Sequence, residues 1–160
     1  MAAYLQIEPI KGECTEEKHA DWIQVLSYSI GVSQQVSGFT GTGGRSAGDA
    51  SFGDLSVMKE VDKASIDLNL HCIQGKHIAK LVLEICEDTG EKICILKYEL
   101  EDVMVSSVQL SGSTGAGRPA ESVSFVYKKI SWTYTPVKAD GSGDTAIGPK
   151  YFDLYEKKSG

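Results

Sequence analysis

The chain has 160 residues, of which 41% are hydrophobic and 24% charged, and these values predict one globular domain spanning residues 1–160. The formal net charge of −6 and the scattered Lys and Arg residues argue against nucleic-acid binding, and no apolar run reaches the roughly 20 residues of a membrane-spanning helix. The first residues show no basic segment followed by an apolar one, so we expect a protein made in the cytosol without a cleaved signal peptide.

Alternation of apolar and polar residues dominates the N-terminal part of the chain and predicts β-strands. Strands are expected over residues 4–10 and 22–30, with a polar loop between them. Residues 38–49 are rich in glycine, which favours a loop because glycine loses the most backbone entropy on ordering. The next strand is expected over residues 52–61.

One short helix is predicted after these strands. Ser65 suits the N-cap position and Gly75 suits the residue after the helix C-terminus. One apolar stripe is expected over residues 66–74, and it comprises Leu68, Leu70, Cys72 and Ile73.

Strands return after the helix, beginning with a predicted hairpin that turns at residues 87–91. Another strand is expected over residues 102–110, and a second glycine-rich loop follows. Cys86 and Cys94 flank the hairpin turn and are able to face each other across it. A reducing cytosol nevertheless favours free thiols, so we expect no disulfide there.

Residues 121–135 read as one uninterrupted strand. Fifteen extended residues span about 50 Å, which exceeds the diameter of about 40 Å expected for a domain of this size. The apolar side also switches part-way along, so the segment either crosses between two sheets or meets another chain. The order of elements predicts a mainly β fold, in which two antiparallel sheets form a barrel or sandwich covered by one helix.

No constellation of catalytic residues is visible, so we expect no enzymatic activity, no cofactor and no metal site. Residues 41–46 lack the lysine of a phosphate-binding loop. The four cysteines show no CxxC spacing, which argues against a zinc knuckle. His19, His71 and His77 are expected to be solvated or structural.

Several sequence blocks together resemble the hemolysin-coregulated protein (Hcp) family, the tube subunits of bacterial type VI secretion. In chain order they are IKGE at residues 10–13, IQVLSYSIG at 23–31, DLS at 54–56, DKAS at 62–65, GKH at 75–77, VSSV at 105–108 and ESVSFVYKKISW at 121–132. The resemblance covers essentially the whole chain in order.

The resemblance implies a structural role. Members of the family form homohexameric rings that stack into a hollow tube, which a sheath drives together with a spike protein into a neighbouring cell. The lumen carries effector proteins. The resemblance therefore implies a protein of the bacterial cytoplasm that is exported to the extracellular space or a target cell.

Individual positions also follow from the resemblance. The glycine-rich segment of residues 38–52 corresponds to an extended loop that reaches the adjacent ring, with Phe39, Thr40, Arg45 and Phe52 as its expected contact residues. Ser29 corresponds to a position on the lumen wall. The alternative function is a monomeric secreted β-sandwich binding module or small effector, with Trp132 and Tyr134 as a ligand platform.

Overall fold

The fold is built from two antiparallel sheets and a covering helix, as seen in a computed structural model that describes residues 1–38, 47–88 and 91–160. The elements in chain order are β1 Ala2–Ile7, a short 3-10 helix Glu17–His19, β2 Ile23–Val25, β3 Ser27–Ser29, β4 Val32–Val36, β5 Ala47–Phe52, β6 Leu55–Glu60, α1 Ala64–Gln74, β7 Ile78–Glu87, β8 Ile93–Ser111, β9 Ala120–Val126, β10 Lys129–Tyr134, β11 Ile147–Asp153 and β12 Lys158–Ser159.

Strand β8 belongs to both sheets. Its first half pairs with β7 and β10 in the first sheet, whose order is β12-β11-β10-β8-β7-β1-β2. Its second half pairs with β9, which continues through β6 to β3 in the second sheet. Asp102, with a φ of +51°, lies where the strand passes from one sheet to the other.

The predicted strand over residues 121–135 is two strands. Strand β9 lies in the second sheet and β10 in the first, and the chain crosses between them at Tyr127 and Lys128. The crossing explains the switch of the apolar side, because each strand turns its apolar residues towards the shared core. The 19-residue strand of the fold is β8, whose two halves appeared as separate strands in the sequence.

The helix is present where the sequence predicts it, but its cap and its buried face differ. Asp62 supplies the cap, since its Oδ1 accepts a bond from Ala64 N, while Asp62 N donates to Ser65 Oγ. Ser65 is buried in the first turn, and Gly75 ends the helix with a φ of +60°. Leu68 faces the core as predicted. The predicted stripe splits, because two of its residues, Leu70 and Ile73, lie on the exposed side together with Ile66.

The core lies between the two sheets. It is aliphatic, with Phe125 as its largest apolar side chain, and Leu5, Leu55, Leu83 and Leu100 are also fully buried. In the described part of the chain, the first sheet runs from an edge at β2 to an edge at β12 without closing. The fold is therefore a sandwich, and the mainly β prediction with one helix is confirmed. Within the described residues, no helix combines the length and apolar character needed to cross a membrane.

Candidate assembly surfaces

Strands β4 and β5 form a hairpin that stands apart from the two sheets. They pair only with each other among the described strands, and all of β4 is exposed on both sides. Strand β5 contains the C-terminal end of the glycine-rich segment for which the family resemblance implies contacts between rings. The predicted contact residues Phe39, Thr40 and Arg45 lie outside the described residues.

The base of this hairpin is fixed by aromatic side chains. Phe52, the fourth predicted contact residue, is half-buried and stacks on Phe152 with ring centroids 5.3 Å apart. The Tyr127 hydroxyl donates to Gly53 O at 2.9 Å. A cavity beside these contacts is lined by Ile30, Val32, Phe52, Tyr98, Tyr127 and Trp132. The base of the hairpin is therefore tied to the crossing between β9 and β10.

Replacing Tyr127 with phenylalanine is expected to lower stability at neutral pH and to remove part of the stability loss of the wild type at alkaline pH. Burial raises the pKa of Tyr127 to about 12, with the nearby Asp54 carboxylate adding to the effect. The unfolded tyrosine ionises near about pH 10, so its stabilising contribution is complete below that pH and is lost as the pH rises through about 12. We expect Tyr127→Phe to cost about 1 kcal/mol at neutral pH through the lost bond.

Urea unfolding of both proteins across the alkaline range is the measurement. The wild-type advantage over Tyr127→Phe should shrink between about pH 10 and pH 12, while ionisation of the other groups cancels in the difference. A stability difference between the two proteins that stays constant across this range would contradict burial of the Tyr127 hydroxyl.

The outward side of the second sheet carries a row of small polar residues. Four directly paired residues follow one another across β3, β6, β9 and β8: Ser29, Ser56, Ser124 and Ser107. Ser56 Oγ and Ser124 Oγ are 3.0 Å apart. The neighbouring row contains Ser27, Met58, Ser122 and Gln109, and we call these eight residues the serine face. Ser29, the predicted lumen residue, is exposed on this uncharged face.

Apolar side chains are also exposed in two further places. The outer side of α1 exposes Ile66 and Ile73, the latter by 81%. The far edge of the first sheet and the loop after it expose a second group: Ile147, Tyr151 and Tyr155. Exposed apolar patches on separate elements are typical of surfaces that contact another chain.

A buried ion-pair network joins β6, β9 and the start of α1. The Lys59 side chain is fully buried, and its Nζ lies 2.9 Å from both Glu121 Oε2 and Asp62 Oδ1. The ammonium also donates to Ser65 Oγ and Glu60 O, and Ser65 Oγ donates to Glu121 Oε2. All three ammonium protons can therefore find acceptors, which is what makes a buried charge tolerable.

A second polar cluster lies on β7 and β8 of the first sheet, against the loop that joins β1 to β2. We define the His19 cluster as His19, Glu84, Cys86 and Cys94. His19 Nε2 lies 2.8 Å from Glu84 Oε2, and it is 3.8 Å and 4.0 Å from the sulfurs of Cys94 and Cys86. Glu16 contacts the other ring nitrogen, Nδ1.

Close backbone contact and ring stacking hold His19 in this position. A Cβ at Gly12 would lie 2.3 Å from Trp22 O, so the loop can fold this closely only with glycine there. The imidazole stacks on the Tyr4 ring at 4.1 Å and meets the Trp22 ring edge-on at 4.7 Å. His19 is therefore buried and held in one orientation, whereas His77 is exposed beside Asp102.

The cysteine prediction needs correction. Cys86 and Cys94 form a disulfide, whereas Cys14 and Cys72 are free. The register of β7 and β8 pairs Cys86 directly with Cys94, so their side chains meet on the same side of the sheet. The expectation of free thiols rested on a reducing cytosol alone, whereas this register places the two sulfurs next to each other. The same register brings Glu84 near His19, and no spacing in the sequence could have indicated that set.

Comparison with known proteins places this chain among type VI secretion proteins. A family model, "Type VI secretion system effector, Hcp", matches residues 4–134. The chain is 38% identical over 142 residues to Protein hcp1 of Pseudomonas aeruginosa, and the match covers 88% of this chain and 87% of that protein. A solved type six secretion system protein is similar with a TM-score of 0.96 at 36% identity, covering 99% of both chains. Hcp1 from Salmonella typhimurium is similar with a TM-score of 0.78 at 26% identity, covering 99% of this chain and 98% of that one.

Proposed function

The chain belongs to the Hcp family of type VI secretion proteins, and we propose that it is a structural subunit of the secretion tube. The observation that carries this function is the likeness to a type six secretion system protein over 99% of both chains. The whole of residues 1–160 then acts as one tube domain. Its role is to form a wall, so it needs surfaces for other copies of itself rather than a catalytic site.

We propose that six copies form a ring. Ring closure requires heterologous contacts, in which one patch of a subunit meets a different patch on the next. The apolar residues on the outer side of α1 and those at the edge near β11 are two separate patches of this kind. Covering them would remove apolar surface from water, at roughly 25 cal/mol for each Å².

The hairpin of β4 and β5 is proposed to join one ring to the next. Exposure of the whole of β4 supports this role, since among the described strands β4 and β5 pair only with each other. Phe39, Thr40 and Arg45 remain the proposed contact residues. Phe52 is proposed to contact the next ring while its stacking on Phe152 supports the hairpin from below.

The serine face is proposed to line the lumen, with Ser29 as an effector-contacting residue. Seven of the eight side chains of this face are polar and uncharged, and Met58 is an exposed apolar one, so the face would give a mainly polar wall. Such a wall hydrates well and offers little apolar surface to which a passing protein could adhere. Effector proteins are the proposed cargo, and the spike and sheath of the apparatus are the proposed further partners.

Family membership implies that the protein is secreted, and the route by which it leaves the cell is a proposal. We propose that the protein is made in the bacterial cytoplasm and leaves through the apparatus itself, to the extracellular space or a target cell, without a cleaved signal peptide. We propose that the protein has no enzymatic activity.

Size measurement in solution, together with negative-stain imaging, tests the ring. The purified protein should run at several times the 17.3 kDa of the chain and show rings with a central hole. A strict monomer at high concentration, with no rings in the images, would overturn the proposal. That result would favour the monomeric binding module, although Trp132 packs against the chain's own core rather than standing free as a ligand platform.

A further inference from the structure

The strongest unassigned feature is the His19 cluster, because it gathers four metal-ligating residue types in one place. The ligand atoms of His19, Glu84, Cys86 and Cys94 all lie within 4.8 Å of one another. His19 and Cys86 are buried, while Glu84 and Cys94 are partly exposed, which leaves a path from solvent. The proposed tube function does not use this cluster.

We propose that the reduced form of the His19 cluster is a zinc site. Its ligands would be one imidazole nitrogen, one carboxylate oxygen and two thiolates, a set that suits Zn²⁺. The structure shows the oxidised form, in which Cys86 and Cys94 are joined. The disulfide and the metal are thus alternative occupants of the same pair of sulfurs.

The distances between the ligand atoms agree with a zinc site after the cluster opens slightly. Bond lengths to zinc of about 2.0–2.3 Å place neighbouring tetrahedral ligand atoms about 3.3–3.8 Å apart. The distances from His19 Nε2 to the two sulfurs, 3.8 Å and 4.0 Å, are already close to that. The Glu84 oxygen at 2.8 Å from Nε2 has to move away by roughly half an ångström. The two sulfurs separate once their bond is broken.

The surroundings of the imidazole are those of a metal-bound histidine. Such a histidine almost always donates its second ring N–H to a carboxylate or carbonyl, which fixes the tautomer and the ring orientation. Glu16 already occupies that position on Nδ1, leaving Nε2 directed at the cluster. Tyr4 and Trp22 hold the ring from two sides. Lys92, hydrogen-bonded to the Tyr4 hydroxyl, places a positive charge near Glu16.

The conversion between the two forms balances with a dithiol as reductant. The dithiol gives two electrons and two protons to the Cys86–Cys94 bond and itself becomes a disulfide, so two thiols form. Zinc then displaces to solvent the two thiol protons and the proton held between Nε2 and Glu84 Oε2, so that Nε2 binds the ion through its lone pair. Thiols persist in a reducing cytosol and disulfides outside the cell. The site would therefore hold zinc before secretion and a disulfide after it, and either form joins β7 to β8.

Zinc content of the untagged full chain tests the proposal. The protein is reduced with dithiothreitol, freed of it by anaerobic gel filtration, given Zn²⁺ and filtered again before elemental analysis. We expect about one zinc ion per chain in the reduced protein and less than about a tenth of that in the oxidised protein. Co²⁺ in place of zinc should show thiolate-to-metal charge-transfer bands only after reduction.

Matched variants locate the site. Cys14→Ser/Cys72→Ser changes the two free cysteines and should keep full zinc binding. Cys86→Ser/Cys94→Ser should lose it, and Glu16→Gln should weaken zinc affinity by roughly tenfold or more, with native circular dichroism. Reduced wild-type protein that is folded yet binds no zinc would overturn the proposal. Zinc binding unchanged in Cys86→Ser/Cys94→Ser would overturn it equally, and both outcomes are independent of ring formation.

Discussion

Lys59→Met is expected to lower the free energy of unfolding by about 3–5 kcal/mol, the usual cost of removing one partner from a buried ion pair. The substitution keeps most of the side-chain volume but leaves the buried carboxylate of Glu121 without its cation. Asp62 loses its ion pair at the same time, which weakens the cap of α1. For a chain of this length we expect the midpoint of thermal unfolding to fall by about 6–20 °C.

Urea unfolding at a fixed protein concentration measures this loss, since ring formation makes stability depend on concentration. Lys63→Met is the matched control, because Lys63 is exposed and its ion pair with Asp21 is a loose 3.9 Å contact. Lys59→Met/Glu121→Leu should recover much of the lost stability, since neither charge then remains buried. A Lys59→Met protein within about 1 kcal/mol of wild type would contradict the network.

Deletion of residues 41–48 is expected to abolish stacking of rings while leaving single rings intact. Among the described residues, the deletion removes only Ala47 and Gly48 at the start of β5, and neither belongs to the core. The base of the hairpin keeps the stacking of Phe52 on Phe152 and the bond from Tyr127 to Gly53. Folding and ring closure should therefore survive, and stacked rings should disappear from negative-stain images.

The second glycine-rich loop provides the control for this deletion. Residues 114–117 are exposed and join β8 to β9, so their removal also shortens a glycine-rich connection. We expect stacked rings to persist in that variant. Stacking that survives deletion of residues 41–48 would show that residues 41–48 do not make the contact between rings.

Local patterns in the sequence were sufficient to predict most of the strands and the helix. Alternation identified the hairpin of β7 and β8, and Gly75 marked the end of α1 because the left-handed conformation there favours glycine. The switch of the apolar side near Tyr127 indicated either a crossing between sheets or a contact with another chain, and the structure shows the crossing. It could not show where the strand breaks, because Tyr127 and Lys128 fit a strand pattern as well as their neighbours do.

The features that the sequence could not supply depend on long-range register. Glu84, Cys86 and Cys94 approach His19 only because β7 and β8 pair as they do and because the loop folds against Gly12. Burial of Lys59 is likewise invisible locally, since an alternating strand predicts which side a residue faces but not that a lysine will find four oxygen partners there. Ser65 was identified as important for α1, but its role in the ion-pair network comes from β9.

Strand β8 has a mechanical consequence for a molecule that is pushed. Because the continuous strand β8 is hydrogen-bonded into both sheets, the two sheets cannot slide past each other unless its backbone hydrogen bonds to β7 or to β9 break. A shear load applied to either layer is therefore shared by the other through the backbone itself. Each subunit would then transmit force as a single rigid block, and any bending of the tube would be confined to the joints between subunits.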